Sequence, residues 1–157
     1  MNSETVCLYD SAVDTLAHIK AVQGLMNQII LELQTRLRQH DSSKLESPEK
    51  GMFDEYTPKL RALTYGSDEY KQCLREMGKA LEHHYQINRH HPEHFENGVN
   101  DMTLIDLLEM LVDWKAATKR HADGDIIKSL AINKKRFGLS EQLMKILENT
   151  VHSEGWQ

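Results

Sequence analysis

Nine histidines stand in this chain of 157 residues, and they are unevenly spread. Five lie between His83 and His94, in the order His83-His84-Tyr85-Gln86-Ile87-Asn88-Arg89-His90-His91-Pro92-Glu93-His94. Upstream, His40 is followed directly by Asp41 and, three residues later, by Lys44. His18 lies earlier still, and Asp106, Glu109 and Asp113 form an acidic series downstream. Imidazole and carboxylate together suit Mn, Fe, Co, Ni or Zn, which accept mixed nitrogen and oxygen donors. A His-Asp doublet at a helix end can aim both side chains at one ion, and its aspartate can bridge to a second. Water on such an ion becomes a hydroxide nucleophile near neutral pH.

Each group has a plainer use as well. A lone histidine such as His18 on a helix is more often a partly buried polar residue than a ligand. His40 at a helix C-terminus is favoured by the helix dipole, and Asp106 in a first turn is favoured in the same way. Asp106 and Asp113 share one side of their helix, opposite the leucines, as a solvated acidic stripe does. Met110, Trp114, Ala116 and Ala117 flank that stripe and leave little of the helix facing solvent, so both readings stand. The histidine cluster is harder to dismiss.

The elements that must position these residues all read as helices. Asp10 or Ser11 can cap a stretch through Leu16, Ile19, Val22, Leu25 and Met26 to Leu37, with Gly24 as a candidate break. Ser47-Pro48-Glu49 has the form of an N-cap with proline at the first helical position, and Pro58 should end that helix by Thr57. Ser67 opens the next, with Tyr70, Leu74, Met77, Leu81 and Tyr85 at helical spacing. Thr103 with Asp106 approximates a capping box, followed by Leu104, Leu107, Leu108 and Leu111 as an amphipathic face. Asp125–Arg136, closed by Gly138, and Ser140–Val151 complete the series, and residues 90–101 form the one long loop. Alternating β-branched runs are missing. The expectation is a single all-α domain over residues 1–157, with its core from about 11 to 151.

Composition narrows the function. A net charge of −5 disfavours sequence-independent binding to a duplex DNA backbone. No run approaches the eighteen apolar residues of a membrane span. The N-terminal ten residues carry Glu4 and Asp10 and no basic residue, unlike a secretory signal. Cys7 and Cys73 are too few for a disulfide framework or a four-cysteine zinc site, so a reducing cytoplasm is expected.

The order His18, His40-Asp41-x-x-Lys44, His83-His84, His90-His91, Asp113 resembles the HD superfamily of metal-dependent phosphohydrolases. The chain is also similar to a small helical family without assigned function, common in phage and bacterial genomes. That likeness rests on His18, His40-Asp41-Ser42-Ser43-Lys44, Ser47-Pro48-Glu49, Tyr56, His83-His84, Asn88, His90-His91 and Glu109-Met110-Leu111-Val112-Asp113-Trp114, and covers roughly residues 13 to 147. The Gly-Tyr-Pro signature of cyclic-dinucleotide hydrolases is missing. The resemblance implies a compact helical bundle of the HD-domain type with one or two divalent metal ions. His18, His40, Asp41 and Asp113 would hold the first ion, and His84 and His91 would be added ligands, with His83 and His90 as unresolved substitutes. Asp41 would be catalytic and bridging, and Lys44 would contact the phosphate of a small phosphorylated substrate, a nucleotide for preference. Two rivals share the scaffold: a dinuclear iron oxygenase, and a silent phage-type module that binds a nucleotide or a protein. Oligomeric state is left open.

Overall fold

The computed structural model describes residues 9–120 and 124–156, and the expectations that rest on Cys7 and the first eight residues lie outside them. Every regular element among the described residues is helical, as the sequence periodicity required: six α-helices, three short 3-10 turns and no strand. No helix among them is long and apolar enough to cross a membrane. The chain divides into two compact units, residues 1–39 and 40–157.

The first unit is one helix, α1 (Ala12–Gln39). Asp10 accepts a hydrogen bond from the Ala12 amide at 2.9 Å and so caps it. Gly24 does not break it, because a single glycine costs a helix only about 1 kcal/mol relative to alanine. At about 1.5 Å per residue α1 is roughly 42 Å long, and none of its residues is buried.

The second unit begins with the 3-10 turn Ser42–Leu45, then α2 (Lys50–Arg61) and α3 (Asp68–Ile87). The structure corrects two expectations in α2. The helix starts at Lys50 instead of Pro48, because Glu49 still belongs to the preceding turn, where its amide donates to the Glu46 carbonyl at 3.0 Å; its side chain is fully buried. It also runs through Pro58 to Arg61. Tyr56 is buried, and its hydroxyl donates to Glu76 on α3 at 3.3 Å, which anchors the turn that proline would otherwise end. In α3, Ser67 caps the start by accepting from the Tyr70 amide. Gly78, at φ 44° and ψ −118°, interrupts the helical geometry, a conformation that a side chain would resist.

After two 3-10 turns, Pro92–His94 and Gly98–Asp101, come α4 (Leu104–Thr118), α5 (Ile126–Phe137) and α6 (Glu141–Ser153). Met110, Leu111, Trp114, Ile126, Leu130, Leu139, Met144, Leu147 and Val151 form the core that joins these three helices. Each such side chain contributes roughly 1.5–3 kcal/mol by leaving water. Asp125 and Ser140 cap α5 and α6, and Gly138 closes α5 in the left-handed region. The orientation of α4 differs from the leucine-face expectation. Leu104 is 83% exposed and Leu108 38%, whereas Asp106, Met110, Leu111 and Trp114 are buried.

Asp106 therefore holds the fold. Thr103 and Asp106 complete a capping box, and the fully buried carboxylate also accepts from Arg89 Nε at 3.1 Å and Nη2 at 2.9 Å. Asp106→Asn is expected to cost about 2–3 kcal/mol, above the 0.3–1 kcal/mol of a dipole effect alone, with Arg89 partly exposed and so weaker than a fully buried partner. Thermal denaturation checks it: a fall of roughly 5–10 °C is expected for a chain of this size. An unchanged midpoint would contradict this role.

Candidate metal centre

Asp41 opens the second unit in the left-handed region, at φ 56° and ψ 11°, where aspartate is among the few residues tolerated. That backbone turn aims its carboxylate at the histidines. Asp41 Oδ1 lies 3.3 Å from His84 Nε2 and 3.5 Å from His90 Nε2, and His84 Nε2 lies 3.0 Å from His91 Nε2. Donor atoms of Asp41, His84, His90 and His91 all fall within 4.8 Å of one another. An ion with bonds near 2.0–2.1 Å has tetrahedral ligand–ligand edges of roughly 3.3–3.4 Å, and the three spacings of 3.0, 3.3 and 3.5 Å lie close to that. A second group, His40, His90 and Asp113, adjoins the first through His90. His40 Nε2 is 3.6 Å from Asp41 Oδ2 and 3.6 Å from Asp113 Oδ1.

Two of these atoms are orphans. Asp41 Oδ1 and His90 Nε2 are buried with no hydrogen-bond partner among the described residues. A buried unpaired acceptor costs about 1–3 kcal/mol, and groups left this way ask for a missing partner. A divalent cation could satisfy both at once.

Two glutamates orient the rings from behind. Glu49, fully buried, meets His83 Nδ1 at 2.8 Å and His84 Nδ1 at 2.9 Å, and accepts from Ser43 Oγ at 3.0 Å. Glu109 Oε1 meets His40 Nδ1 at 2.9 Å and His90 Nδ1 at 3.3 Å. A carboxylate at Nδ1 assigns the proton to that nitrogen and turns Nε2 toward the centre, the usual carboxylate–histidine–metal arrangement. Asn88 fixes the end of α3 by donating to Ser43 Oγ and to the His84 carbonyl.

The electrostatics suit a cation. Hydrogen bonds with Asp113 and Glu109 outweigh burial and raise His40 to about 10. Burial opposes the charge of Asp41, yet His84 and Lys44 hold its carboxyl below the ordinary range. Burial opposes Glu109 and Asp113 too, and their histidine partners bring both down. Burial, with His90 and His84 adjacent, pushes His91 down to about 2, so it is a neutral donor.

Of the residues singled out in the sequence, the structure brings together His40, Asp41, His84, His91 and Asp113, with Lys44 donating to Asp41 Oδ2 at 2.6 Å. His90 joins both groups, whereas His83 turns to Glu49 and belongs to neither. His18 is an exposed residue of α1, and both groups are built from the second unit. Glu49 carries a role that donor counting missed, and Glu109, one of the acidic series, orients two rings without joining either donor group. The signal for Glu49 was its place in the Ser-Pro-Glu turn, and for Glu109 its place one helical turn before Asp113.

The cluster borders a cleft of about 930 Å³, whose wall includes Lys44, His84, His91 and Asp113. Phe53 and Trp114 line it as well, which gives the polar cluster an apolar flank. No curated protein and no solved structure matches the chain. Residues 7–153, nearly its whole length, match the family of unknown function DUF5662, and the chain belongs to that family.

Proposed function

We propose that the protein is a metal-dependent phosphohydrolase of the HD type, acting on a nucleotide or related phosphoester. The observation that carries this reading is the orphaned pair Asp41 Oδ1 and His90 Nε2 inside a ring of histidines, open to a cleft that also presents Lys44. Asp41, His84, His90 and His91 would hold one divalent ion, and His40, Asp113 and the second oxygen of Asp41 would hold another. His18 enters the set through the family resemblance alone. A divalent ion bound there supplies Lewis acidity and a water of lowered pKa.

The remaining work falls to the chain's own groups. Glu49 holds His84, and Glu109 holds His40 and His90, by Nδ1, so that each Nε2 is turned toward the ion. The Lys44 ammonium neutralises charge on the phosphate as the water oxygen bonds to phosphorus. The ester P–O bond breaks with its electron pair passing to the leaving oxygen, which takes up the proton that the attacking water gives up. Phe53 and Trp114 keep bulk water from one side of the cleft.

The test is elemental analysis of purified protein, then turnover of a nucleotide panel with Mn, Co, Ni and Mg. About one or two ions per chain and multiple turnovers are expected, both lost in the His40→Ala, Asp41→Ala double variant. Stoichiometric binding without turnover would make the protein a binder. An oxygen-dependent optical change in anaerobically iron-loaded protein would favour oxygen chemistry.

A pH dependence follows. With its raised value of about 10, His40 is an imidazolium at neutral pH, and ligation through Nε2 displaces that proton. Affinity for the ion therefore rises as pH rises, by about tenfold per unit between pH 6 and 8 for this one proton. Calorimetry in two buffers of different ionisation enthalpy checks it. At least one proton should be released per site containing His40, and none would contradict the assignment.

A further inference from the structure

The cleft beside the cluster has a second charged end. Besides Lys44, its wall carries Arg61, Arg120, Lys128 and Arg136, in a chain whose net charge is −5. The carboxylates on the same wall are Asp54, Asp113 and Asp125, and Asp113 already belongs to the ligand cluster. Cationic side chains are thus concentrated where the protein as a whole is acidic.

Tyr85 links the two ends. Its ring lies 4.9 Å from that of His91, centroid to centroid, and its hydroxyl faces Arg136. Arg120, Arg136 and Tyr70 line the cleft together, and Tyr65 packs edge-on to Tyr70 at 5.2 Å. Arg120, Arg136, Tyr65 and Tyr70 thus line the same cleft as His91, with Tyr85 between them in contact with His91 and Arg136. Arg136 Nη2 pairs with Glu93 at 2.7 Å, which occupies one face of a group with five donors. Arg120 is exposed on the wall of the cleft. Guanidinium forks match phosphate oxygens in geometry and charge.

We propose that this far end is a second anion subsite, so that the preferred ligand is a nucleotide with two separated phosphates. One phosphate lies at the histidine–aspartate cluster beside Lys44, and the other on Arg136 and Arg120. The proposal rests on the hydrolase reading only for which phosphate is cleaved. At about 930 Å³ the cleft stands near the top of the roughly 300–1,000 Å³ range of small-molecule sites, ample for a nucleotide spanning both ends.

The experiment uses the full chain loaded with Mn, and compares adenosine 3′,5′-bisphosphate with adenosine 5′-monophosphate by calorimetry, with phosphate release followed separately. The bisphosphate should bind about 10–100-fold more tightly, as expected for one charge-assisted phosphate contact. That preference should collapse in Arg136→Gln, weaken in Arg120→Gln and survive in part in Arg136→Lys. In Glu93→Gln it should grow, because Arg136 gains a free donor face. Arg120 is exposed, so its variant tests the subsite even if Arg136→Gln disturbs folding. Equal affinity for the two ligands, no binding of either, or a preference unchanged in the arginine variants overturns the proposal. A preference without hydrolysis keeps the subsite and removes the hydrolase reading, whereas hydrolysis without a preference does the reverse.

Discussion

Asp41→Asn is expected to leave the chain folded and to lower its affinity for a divalent ion by more than about 10²-fold. The bound is conservative, because losing a partner one shell farther out already costs 10–100-fold. Asparagine keeps the side-chain shape and is at home in the left-handed region that Asp41 occupies, so the backbone has no reason to move. What disappears is the charge. Asp41 Oδ1 faces His84 and His90 while Oδ2 faces His40 and Lys44, so one substitution weakens both donor groups together. Competition titration with Mn, Co or Zn measures the loss, with circular dichroism as the folding control. Phosphoester turnover should fall to background alongside it. Wild-type affinity in the variant would take Asp41 out of the ligand set and leave the second ion without a bridge.

The second large effect is expected at Lys44, and it distinguishes phosphoester chemistry from other uses of the same donors. Lys44 Nζ stands on Asp41 Oδ2 at 2.6 Å and 4.9 Å over the Phe53 ring, on the wall of the cleft. Its stem is partly buried, so its ammonium is held at the ligand set instead of sweeping through solvent. Lys44→Met keeps the stem's apolar contacts and removes only a protonated donor. Steady-state turnover at matched metal occupancy should fall by about 10²–10³-fold, the size of one preorganised charge stabiliser. Metal content should hold. Equal rates would make Lys44 a structural partner of Asp41 and weaken the case for a phosphate-bearing substrate.

Much of this architecture was legible in local chemistry. The caps at Ser67, Thr103, Asp125 and Ser140 follow from side chains that hydrogen-bond their own backbone, the stop at Gly138 follows from glycine's ease in the left-handed region, and each is in place. The helix ends around Pro48 and Pro58 were misread, since Glu49 and Tyr56 are held by partners on α3 that local sequence does not reveal. The acidic series on α4 was ambiguous for a related reason. Its hydrophobic pattern puts the leucines inward, but the actual inner face carries Asp106 on Arg89 and Glu109 on two histidines. Buried charge is stable only with partners, and those partners lie on the preceding loop and at the start of the second unit. Between neighbouring histidines, spacing could not decide. The fold settles their surroundings by giving His83 to Glu49 and bringing His90 and His91 both to Asp41.

Gly78 carries none of the atoms an ion could touch, yet it sets the heading of the segment that does. By bending α3 at φ 44°, it gives residues 79–87, with His83 and His84 aboard, a heading different from that of the turns before it. Along an uninterrupted helix, each side chain's compass bearing is fixed by every residue upstream at 100° per step. Here Gly78 resets that bearing, so the direction in which His83 and His84 leave α3 depends on this one backbone position. The centre thus has a mechanical fuse one and a half turns away. An inventory of donor atoms never includes such a residue, and a family tree of these proteins would be a natural place to look for it.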